Sequence, residues 1–346
     1  MPAHILQVTS PAPRDVWNEL LESHPNAFVD QTPQGLDCIA KFKNCGDASR
    51  LYEFADGTRL ILPLLRRKGL PFDLGIERSI AFGGCVASQP VRVETLQAVF
   101  SDLGSRRLLQ TVVSASALDG DLWTAAAPRW TVAMPRLAHM LDLEGGFETV
   151  WKKRFSDQGR RAVRKAERAR VEIEFDTSGR LIAPFYDLLV RSVDRWAGKS
   201  HEPAALARWR MKRRDPVGRF HLMADILGDA FHMWGAWVDG RLAAAIIVLR
   251  GRNAHYTRGA MDRELASPTR ASFLLQKLAI EDACKVGCRY YHMGQTGSES
   301  LARFKVQFGA TAYRCPQFYI ERLPLAATQI RLRRVIRKAL TPKPDS

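Results

Sequence analysis

The 346-residue sequence lacks a long hydrophobic run. Its longest apolar stretch, residues 242–249, is far shorter than the roughly 20 residues that a membrane-spanning helix needs. Its first residues contain no apolar segment behind a basic start, so they do not resemble a secretory signal. We therefore expect a cytoplasmic protein without a membrane span.

The sequence also lacks the cysteine patterns of disulfide scaffolds and of metal sites. Its six cysteines are too few to form a disulfide framework in a chain of this length. Cys284, Cys288 and His292 lie close together, but there is no Cys-x-x-Cys pair, and the stretch crosses from a predicted helix into a predicted strand. We expect these residues to be buried and predict no metal site.

Two functional motifs are absent as well. No Gly-x-Ser-x-Gly sequence occurs, so the nucleophile elbow of serine hydrolases is not predicted. No aromatic-rich motif of the kind found in RNA-recognition modules occurs either, which counts against a dedicated RNA-binding domain.

Positive charge is abundant. The chain has 52 basic and 36 acidic residues, for a net charge of +16, within an otherwise ordinary globular composition. Such an excess suits an anionic partner, for example a phosphorylated cofactor, an RNA, a lipid headgroup or a nucleotide-activated sugar. Simple solubility would explain it equally well, so charge alone does not identify the partner.

Two similar stretches, 53–65 and 236–249, indicate an internal duplication. Each has a short β-prone run, an Asp-Gly pair and then a longer apolar run. Asp-Gly between β-prone runs predicts a hairpin, because type I′ turns need positive φ angles. The pairs Asp56-Gly57 and Asp239-Gly240 are therefore expected at equivalent places in two related halves.

Hydrophobic periodicity and turn signals predict an α/β fold with a mostly antiparallel sheet. The predicted helices are 14–23, 93–103, a helical region over 147–170, 181–196, 204–213, 267–285 and 298–307, and the predicted strands are 50–67, 108–115, 171–175, 254–259, 289–293 and 317–322. Residues 118–135 are interpreted as a connection. Ser267 is expected to be an N-cap with Pro268 at the first helical position, and Gly287 a C-cap.

Three stretches, 160–168, 254–260 and 291–310, together resemble the FemAB-like branch of the GNAT superfamily, and Arg303-Phe-Lys305-x-x-Phe-Gly309 is the most specific part. The resemblance covers 147–323 well and the N-terminal half more loosely. It implies tandem GNAT-like domains with a mixed, mostly antiparallel sheet flanked by helices. The predicted limits are 1–140 for the N-terminal half, 141–325 for the acyltransferase domain and 326–346 for a basic tail.

The resemblance implies transfer of an acyl group to an amine, and the branch contains two kinds of enzyme. One kind comprises acetyltransferases near polysaccharide clusters, and the other adds amino acids to peptidoglycan precursors. The leading hypothesis is therefore acyl-CoA-dependent acylation of a cell-envelope sugar or lipid-linked precursor, with no permanently bound cofactor. One alternative is an aminoacyl-tRNA donor. A coiled-coil arm would favour tRNA use, but the sequence has no sustained heptads that predict one. The other alternative is a non-catalytic RNA- or membrane-binding protein on a GNAT scaffold.

The donor is expected near a helix N-terminus, where unpaired backbone N–H groups and the helix dipole bind phosphate. Ser267, Thr269 and Arg270 are the predicted donor-binding residues there, together with Arg258. The superfamily's usual pyrophosphate loop is glycine-rich, whereas residues 263–270 contain no glycine. This departure counts against acyl-CoA in particular, and Ser267-Pro268 can also be a simple helix cap.

Acyl transfer needs a neutral amine and a stabilised oxyanion. Lys305 could donate to the oxyanion or bind a phosphate, and Glu299 could accept the amine proton through water. His292 is expected in a strand along the cleft, and Tyr256 and Arg258 alternate on the preceding strand and so should share a face. Ordinary roles remain open for each: a surface lysine, a first-turn acid, a core histidine and packing.

Basic stretches are candidate contacts for substrate or for a surface. Arg161 and Lys165 in the basic run 160–170, with Arg303, are predicted to bind substrate, although a solvated helix face is the ordinary reading of such a run. Residues 329–340 read as a basic amphipathic helix, which could rest on an anionic membrane at its inner face or dock on the protein itself.

Overall fold

The computed structural model describes residues 3–69, 75–80, 83–199, 202–324 and 328. The chain divides into two compact units. The first comprises Met1–Leu20, Lys43–Arg136 and Arg314–Ser346, and the second Leu21–Phe42 and Leu137–Tyr313. The predicted amphipathic helix 329–340 lies outside the described residues. Every helix within the described ranges is too short or too polar to span a bilayer.

The elements are numbered here in chain order. The strands are β1 (Ile5–Thr9), β2 (Cys45–Asp47), β3 (Arg50–Phe54), β4 (Arg59–Leu62), β5 (Leu64–Arg67), β6 (Ile76–Ser79), β7 (Val86–Ala87), β8 (Gln110–Ser114), β9 (Val132–Met134), β10 (Leu137–Asp142), β11 (Glu172–Asp176), β12 (Phe231–Val238), β13 (Arg241–Arg250), β14 (Ala254–Met261), β15 (Tyr290–Gln295), β16 (Thr311–Arg314) and β17 (Gln317–Glu321). The helices are α1 (Arg14–Ser23), α2 (Pro33–Lys43), α3 (Val93–Ser105), α4 (Gly120–Ala126), α5 (Gly146–Thr149), α6 (Asp157–Arg168), α7 (Ile182–Lys199), α8 (Ala204–Arg214), α9 (Val217–Leu227), α10 (Arg263–Thr269), α11 (Ala271–Lys285) and α12 (Glu299–Val306).

The first unit contains two small sheets, and the chain passes directly from one sheet to the other between β4 and β5. Their strand orders are β1-β3-β4-β7 and β2-β5-β6-β8-β17-β9. Only Pro63 separates β4 from β5, and because proline has no N–H to donate, it interrupts the ladder at that point. β6 and β8 are parallel, with α3 in the crossover, and the late strand β17 pairs antiparallel with β8.

The second unit contains one seven-stranded sheet in the order β11-β12-β13-β14-β15-β10-β16. β14 and β15 are parallel, with α11 in the crossover, and β10 pairs antiparallel with β15. α6 and α11 belong to the core on one face of the sheet, and α7, α8 and α9 belong to the core on the other. β13 has apolar side chains buried on both faces, which explains its uninterrupted hydrophobic run.

The two units repeat the same order of elements, which agrees with the internal duplication predicted from the hairpins. β3–β4 and β12–β13 are antiparallel hairpins, and each is followed by a parallel pair built around a crossover helix. At the second hairpin Asp239 and Gly240 both have positive φ, 49° and 69°, as a type I′ turn requires. At the first only Gly57 does, at 81°, so that turn is of a different type.

Most predicted elements are confirmed, two predictions about elements were wrong, and α9 is among the elements that were not predicted. Residues 118–135 are not a plain connection, because they contain α4 and β9. α9 was not predicted, because its apolar residues follow Pro216 without a helical N-cap signal. The helix expected from Ser267 begins at Ala271 instead: Asp262 caps a separate helix, α10, by accepting from Glu264 N, and Arg270 then adopts φ 58°.

Gly309, which ends the predicted Arg303–Gly309 motif, is required sterically. Its φ is 84°, and a Cβ there would lie 2.4 Å from the carbonyl oxygen of Arg154. Gly287 has a similar φ of 79° but open space around it. We expect Gly287→Ala to cost about 1–2 kcal/mol of unfolding free energy, from φ alone. Gly309→Ala should cost about 1–3 kcal/mol more because of overpacking.

Chemical denaturation of the two variants checks this prediction. Equal losses for Gly309→Ala and Gly287→Ala would show that the contact with Arg154 carries no free energy.

Candidate active site

The central sheet of the second unit opens between two neighbouring parallel strands. β14 and β15 pair at only two positions, Ala254 with Tyr291 and His255 with His292. Beyond these positions the described residues 256–261 of β14 and 293–295 of β15 form no ladder with each other, although each strand stays paired on its outer edge. We call the gap between these two segments the β14–β15 opening.

Gly294 explains why β15 turns away from its neighbour. Its φ is 78°, a left-handed conformation that glycine adopts without steric cost. Its N–H donates to Nδ1 of His292 at 2.9 Å instead of to a strand partner. A Cβ at this position would lie 3.5 Å from the carbonyl oxygen of Tyr256, so the two strands are still close where the opening starts.

A β-bulge in β14 changes the face of the sheet to which its side chains point. Val248 pairs with Tyr256 and Ile247 with Arg258, which leaves Thr257 as the extra residue. Since one inserted residue reverses the alternation, Tyr256 packs on the α11 side, whereas Arg258 points to the α7–α9 side. The prediction that Tyr256 and Arg258 share one face was therefore wrong. Burial raises the pKa of Tyr256 to about 12, so its phenol stays protonated.

Lys305 is on α12, and its Nζ reaches the end of β15, next to the opening. Its side chain is almost fully buried, and Nζ donates to the carbonyl oxygens of Gly294 at 2.7 Å and Gln295 at 3.0 Å and to Oγ1 of Thr296 at 3.0 Å. Burial lowers the pKa of Lys305 to about 8. Thr296 Oγ1 also contacts Nδ1 of His139 at 2.7 Å, and burial followed by the Lys305 charge lowers the pKa of that histidine.

A buried polar cluster lies at the paired end of the opening. His255 and His292 have their ring centroids 5.4 Å apart, and Phe28 packs edge-on against His292 at 5.6 Å. Nδ1 of His255 lies 3.4 Å from Oδ2 of Asp30. Burial, followed by the neighbouring His255 and Lys305, holds the pKa of His292 well below its ordinary value, so its ring is neutral.

The predicted donor region has a different local structure from the one expected. Ser267 lies inside α10, Thr269 Oγ1 donates to Leu265 O at 2.6 Å, and Arg270 is an exposed αL residue immediately before α11. An open pocket of about 520 Å³ adjoins this region and is lined by Arg195, Asp262, Arg263, Glu264, Ser267 and Pro268. Thus the N-terminus that can offer N–H groups to an anion is that of α11.

The other predicted site residues are exposed. Glu299 is the first residue of α12, after the N-cap Ser298, and Arg303 lies one turn later. Arg161 and Lys165 project from α6, where the Nε of Arg161 donates to the carbonyl oxygen of Asp157 at 3.3 Å. These four side chains therefore lie on solvated surfaces, and Glu299 and Arg303 share α12 with Lys305.

Three arginines meet at a buried carboxylate that the sequence did not reveal. Asp215 is 1% exposed and accepts from Arg214 Nε at 2.8 Å, and Arg219 and Arg258 also form ion pairs with it. Asp30 was missed as well. It lies in the 3₁₀ turn Val29–Gln31, far in sequence from the strand residue that it contacts, and no local motif marks it.

This arrangement suits a carbonyl group better than a metal ion. The inner edge of β14 presents backbone N–H groups that β15 does not use, and such donors can bind a carbonyl oxygen. Lys305 adds a positive charge at the same place. Among the described residues, no three histidine, cysteine or acidic side chains come together as metal ligands.

Comparison with known proteins agrees with a site that binds a carbonyl group. A family model described as an acetyltransferase (GNAT) domain matches residues 153–306. A search of curated protein sequences finds no match.

Several solved structures share the fold. FemX is 12% identical, covers 94% of this chain and 99% of its own, and has a TM-score of 0.67. A Bacteroides thetaiotaomicron protein of unknown function is 11% identical, with 89% and 97% covered and a TM-score of 0.54. The C-terminal domain of an Agrobacterium fabrum protein assigned as a lysylphosphatidylglycerol synthetase is 10% identical, with 92% and 94% covered and a TM-score of 0.51.

At these identities the likeness concerns the fold, and it extends over both units. The family match falls on the second unit, which contains the opening and Lys305. Residues 153–306 therefore match an acetyltransferase (GNAT) domain, and the chain as a whole shares the fold of FemX.

Proposed function

We propose that the second unit transfers an acyl group to an amine of a cell-envelope sugar or lipid-linked precursor. The observation that supports this best is the β14–β15 opening with buried Lys305 beside it. The amine nitrogen attacks the acyl carbonyl, the carbonyl oxygen becomes an oxyanion, and the bond to the donor's sulfur or oxygen then breaks. The amine proton leaves to a water molecule, and Glu299 on the first turn of α12 is the candidate that accepts the proton from that water.

Lys305 is proposed to stabilise the oxyanion. The contacts to Gly294 O and Gln295 O fix its position, because a buried ammonium needs every donor satisfied. The contact to Thr296 is the exchangeable one, since that hydroxyl has His139 as a second partner. An oxyanion replacing the hydroxyl would gain a charge-assisted hydrogen bond.

Acyl-CoA is the first candidate donor. The 520 Å³ pocket is lined by Arg195 and Arg263, by the acidic Asp262 and Glu264, and by Ser267 and Pro268 of α10, a few residues before the N-terminus of α11. Backbone N–H groups at that terminus and basic side chains would together suit a pyrophosphate.

Aminoacyl-tRNA is the second candidate, and one local observation favours it. The residues before α11 form the helix α10 rather than a glycine loop, so their backbone cannot wrap a pyrophosphate closely. The fold likeness to FemX and to the domain assigned as a lysylphosphatidylglycerol synthetase is in keeping with an aminoacyl donor. The exposed Arg161 and Lys165 on α6 would then face the RNA backbone.

Arg270 offers a test of the donor. If acetyl-CoA binds at the N-terminus of α11, Arg270→Ala should weaken binding by about 1.5–3 kcal/mol, since the lost contact is charge-assisted. The difference should shrink as salt rises, because the side chain is exposed. Calorimetric titration of acetyl-CoA into both proteins measures this, with the exposed Arg180→Ala as control.

Equal affinities for wild type and Arg270→Ala would place the donor phosphate elsewhere. Binding of charged tRNA with no binding of acetyl-CoA would replace the first candidate by the second.

A further inference from the structure

The helix α8 has large apolar side chains on its outer side as well as on its buried side. Ala207 and Met211, four positions apart, are buried in the core that α8 shares with α7 and α9. Leu206 and Trp209 lie on the opposite side of the helix and are 47% and 53% exposed. Neighbouring exposed apolar side chains of this size are typical of a surface that binds a partner.

The same helix is strongly basic. α8 contains five arginine or lysine residues and no acidic one. Arg208, Arg210 and Arg214 form ion pairs with carboxylates outside the helix. Lys212 and Arg213 are exposed and form no ion pair within the part of the chain that the structure describes. Their two positive charges are therefore available to an anionic partner.

The apolar and the basic side chains share one surface. Leu206, Trp209 and Arg213 have the i, i+3, i+7 spacing that places them in a line along the helix. Cζ of Arg213 lies 4.8 Å from the centre of the Trp209 ring, as in a cation–π contact. Lys212 and Arg210 project on either side of this line, because an α-helix has 3.6 residues per turn. We call these five residues the α8 outer face.

We propose that the α8 outer face docks on the surface of an anionic lipid bilayer. Leu206 and Trp209 then lie at the depth of the lipid headgroups, where tryptophan is favoured, and Lys212 and Arg213 extend their charged ends to lipid phosphates. Charge complementarity supports this partner, because the two unpaired cations flank the apolar side chains. The inference goes beyond the proposed acyl transfer and does not depend on it.

A lipid surface suits the α8 outer face better than an RNA does. Arg213 already covers part of the Trp209 ring and so reduces the area on which a base can stack. Leu206 has no polar group to offer a nucleic acid, whereas its transfer from water to a lipid interface is favourable.

Co-sedimentation of the full chain with lipid vesicles tests the proposal. Vesicles of phosphatidylcholine alone are compared with vesicles that also contain phosphatidylglycerol. Binding should require phosphatidylglycerol and should weaken as salt rises, because exposed charges are screened. Trp209→Ser should lower the partition coefficient about ten-fold, from the apolar area that no longer leaves water. Lys212→Gln and Arg213→Gln should each lower it about five-fold.

Two control variants locate the contact. Trp130→Ser removes a tryptophan of matched exposure, 54%, from the first unit. Lys285→Gln removes an exposed positive charge from the last turn of α11. Both variants should bind the vesicles as wild type does. All of the substituted side chains are exposed, so we expect every variant to fold, and thermal melting checks this.

The proposal is overturned if the chain does not bind vesicles that contain phosphatidylglycerol, or if the α8 variants bind them as wild type does. Equal losses in Trp130→Ser and Lys285→Gln would also overturn it, because the effect would then not depend on position. A single-stranded RNA that displaces the vesicles and binds less well to the α8 variants would assign this face to a nucleic acid instead. Acyl transfer can still occur in each of these cases, so failure here is distinguishable from failure of the proposed function.

Discussion

Lys305→Ala is expected to lower kcat for acyl transfer by about 100-fold or more, the scale of losing one oxyanion donor. The reason is the fixed ammonium at the end of β15, held by the carbonyl oxygens of Gly294 and Gln295. Lys277→Ala is the matched control, because that lysine is on α11 and pairs with Glu281 at 2.7 Å. Steady-state kinetics with either donor measures the difference.

The pH dependence separates a catalytic role from a purely structural one. The ammonium loses its proton as pH rises through about 8, so wild-type turnover should fall there if the charge stabilises the oxyanion. Stability should move the other way. Between about 8 and the ordinary lysine value of 10.5, the unfolded chain still binds a proton that the folded chain has lost, so the unfolding free energy increases.

A wild-type activity that does not decline above about pH 8 would contradict the role of the ammonium. So would turnover by Lys305→Ala equal to that of Lys277→Ala, provided thermal melting shows that both variants are folded.

Asp215→Ala is expected to lower the free energy of unfolding by about 3–5 kcal/mol. It removes the carboxylate shared by Arg214, Arg219 and Arg258 and leaves partly buried guanidinium groups facing one another. Asp194→Ala is the control, because its pair with Arg208 is 30% and 50% exposed and should contribute about 1 kcal/mol or less. Urea unfolding of the two variants gives the comparison.

A loss for Asp215→Ala no larger than that for Asp194→Ala would mean that the arginines do not depend on this carboxylate. High phosphate should stabilise Asp215→Ala more than a Gly309→Ala variant, because only the first has lost an anion and the general salt effect acts on both.

The sequence predicted those parts of the fold that depend on neighbouring residues. The two hairpins follow from Asp-Gly pairs between apolar runs, and α11 ends where Gly287 adopts φ 79°. The prediction that a helix starts at Ser267 was wrong, because two possible N-cap residues lie within a few positions of each other. Asp262 begins α10 first, and the chain then needs a αL residue, Arg270, before a second helix.

The candidate site was predicted only in part, for a physical reason. Lys305 and His292 stand in a recognisable stretch, and the structure places both beside the opening. The side-chain directions on β14 depend on a bulge that is defined by pairing with β13 and has no signal in β14 itself. Asp30 and Asp215 contact their partners only through the tertiary fold.

The sequence also could not predict to which of the two units each chain segment belongs. Leu21–Phe42 belongs to the second unit, where Asn253 Nδ2 donates to the carbonyl oxygens of Pro25 at 2.9 Å and Ala27 at 3.1 Å. These hydrogen bonds join residues more than 220 positions apart. Periodicity within a short window cannot indicate such a contact.

Mass spectrometry of acceptor acylation tests the central claim most directly. The purified chain is incubated with acetyl-CoA or with a charged tRNA pool, and with amine-bearing nucleotide- and lipid-linked sugars. We predict an amide product with one of the two donors, formed by wild type and Lys277→Ala and reduced by about 100-fold in Lys305→Ala. Absence of product with both donors, or equal product from folded Lys305→Ala, would contradict acyl transfer at the β14–β15 opening.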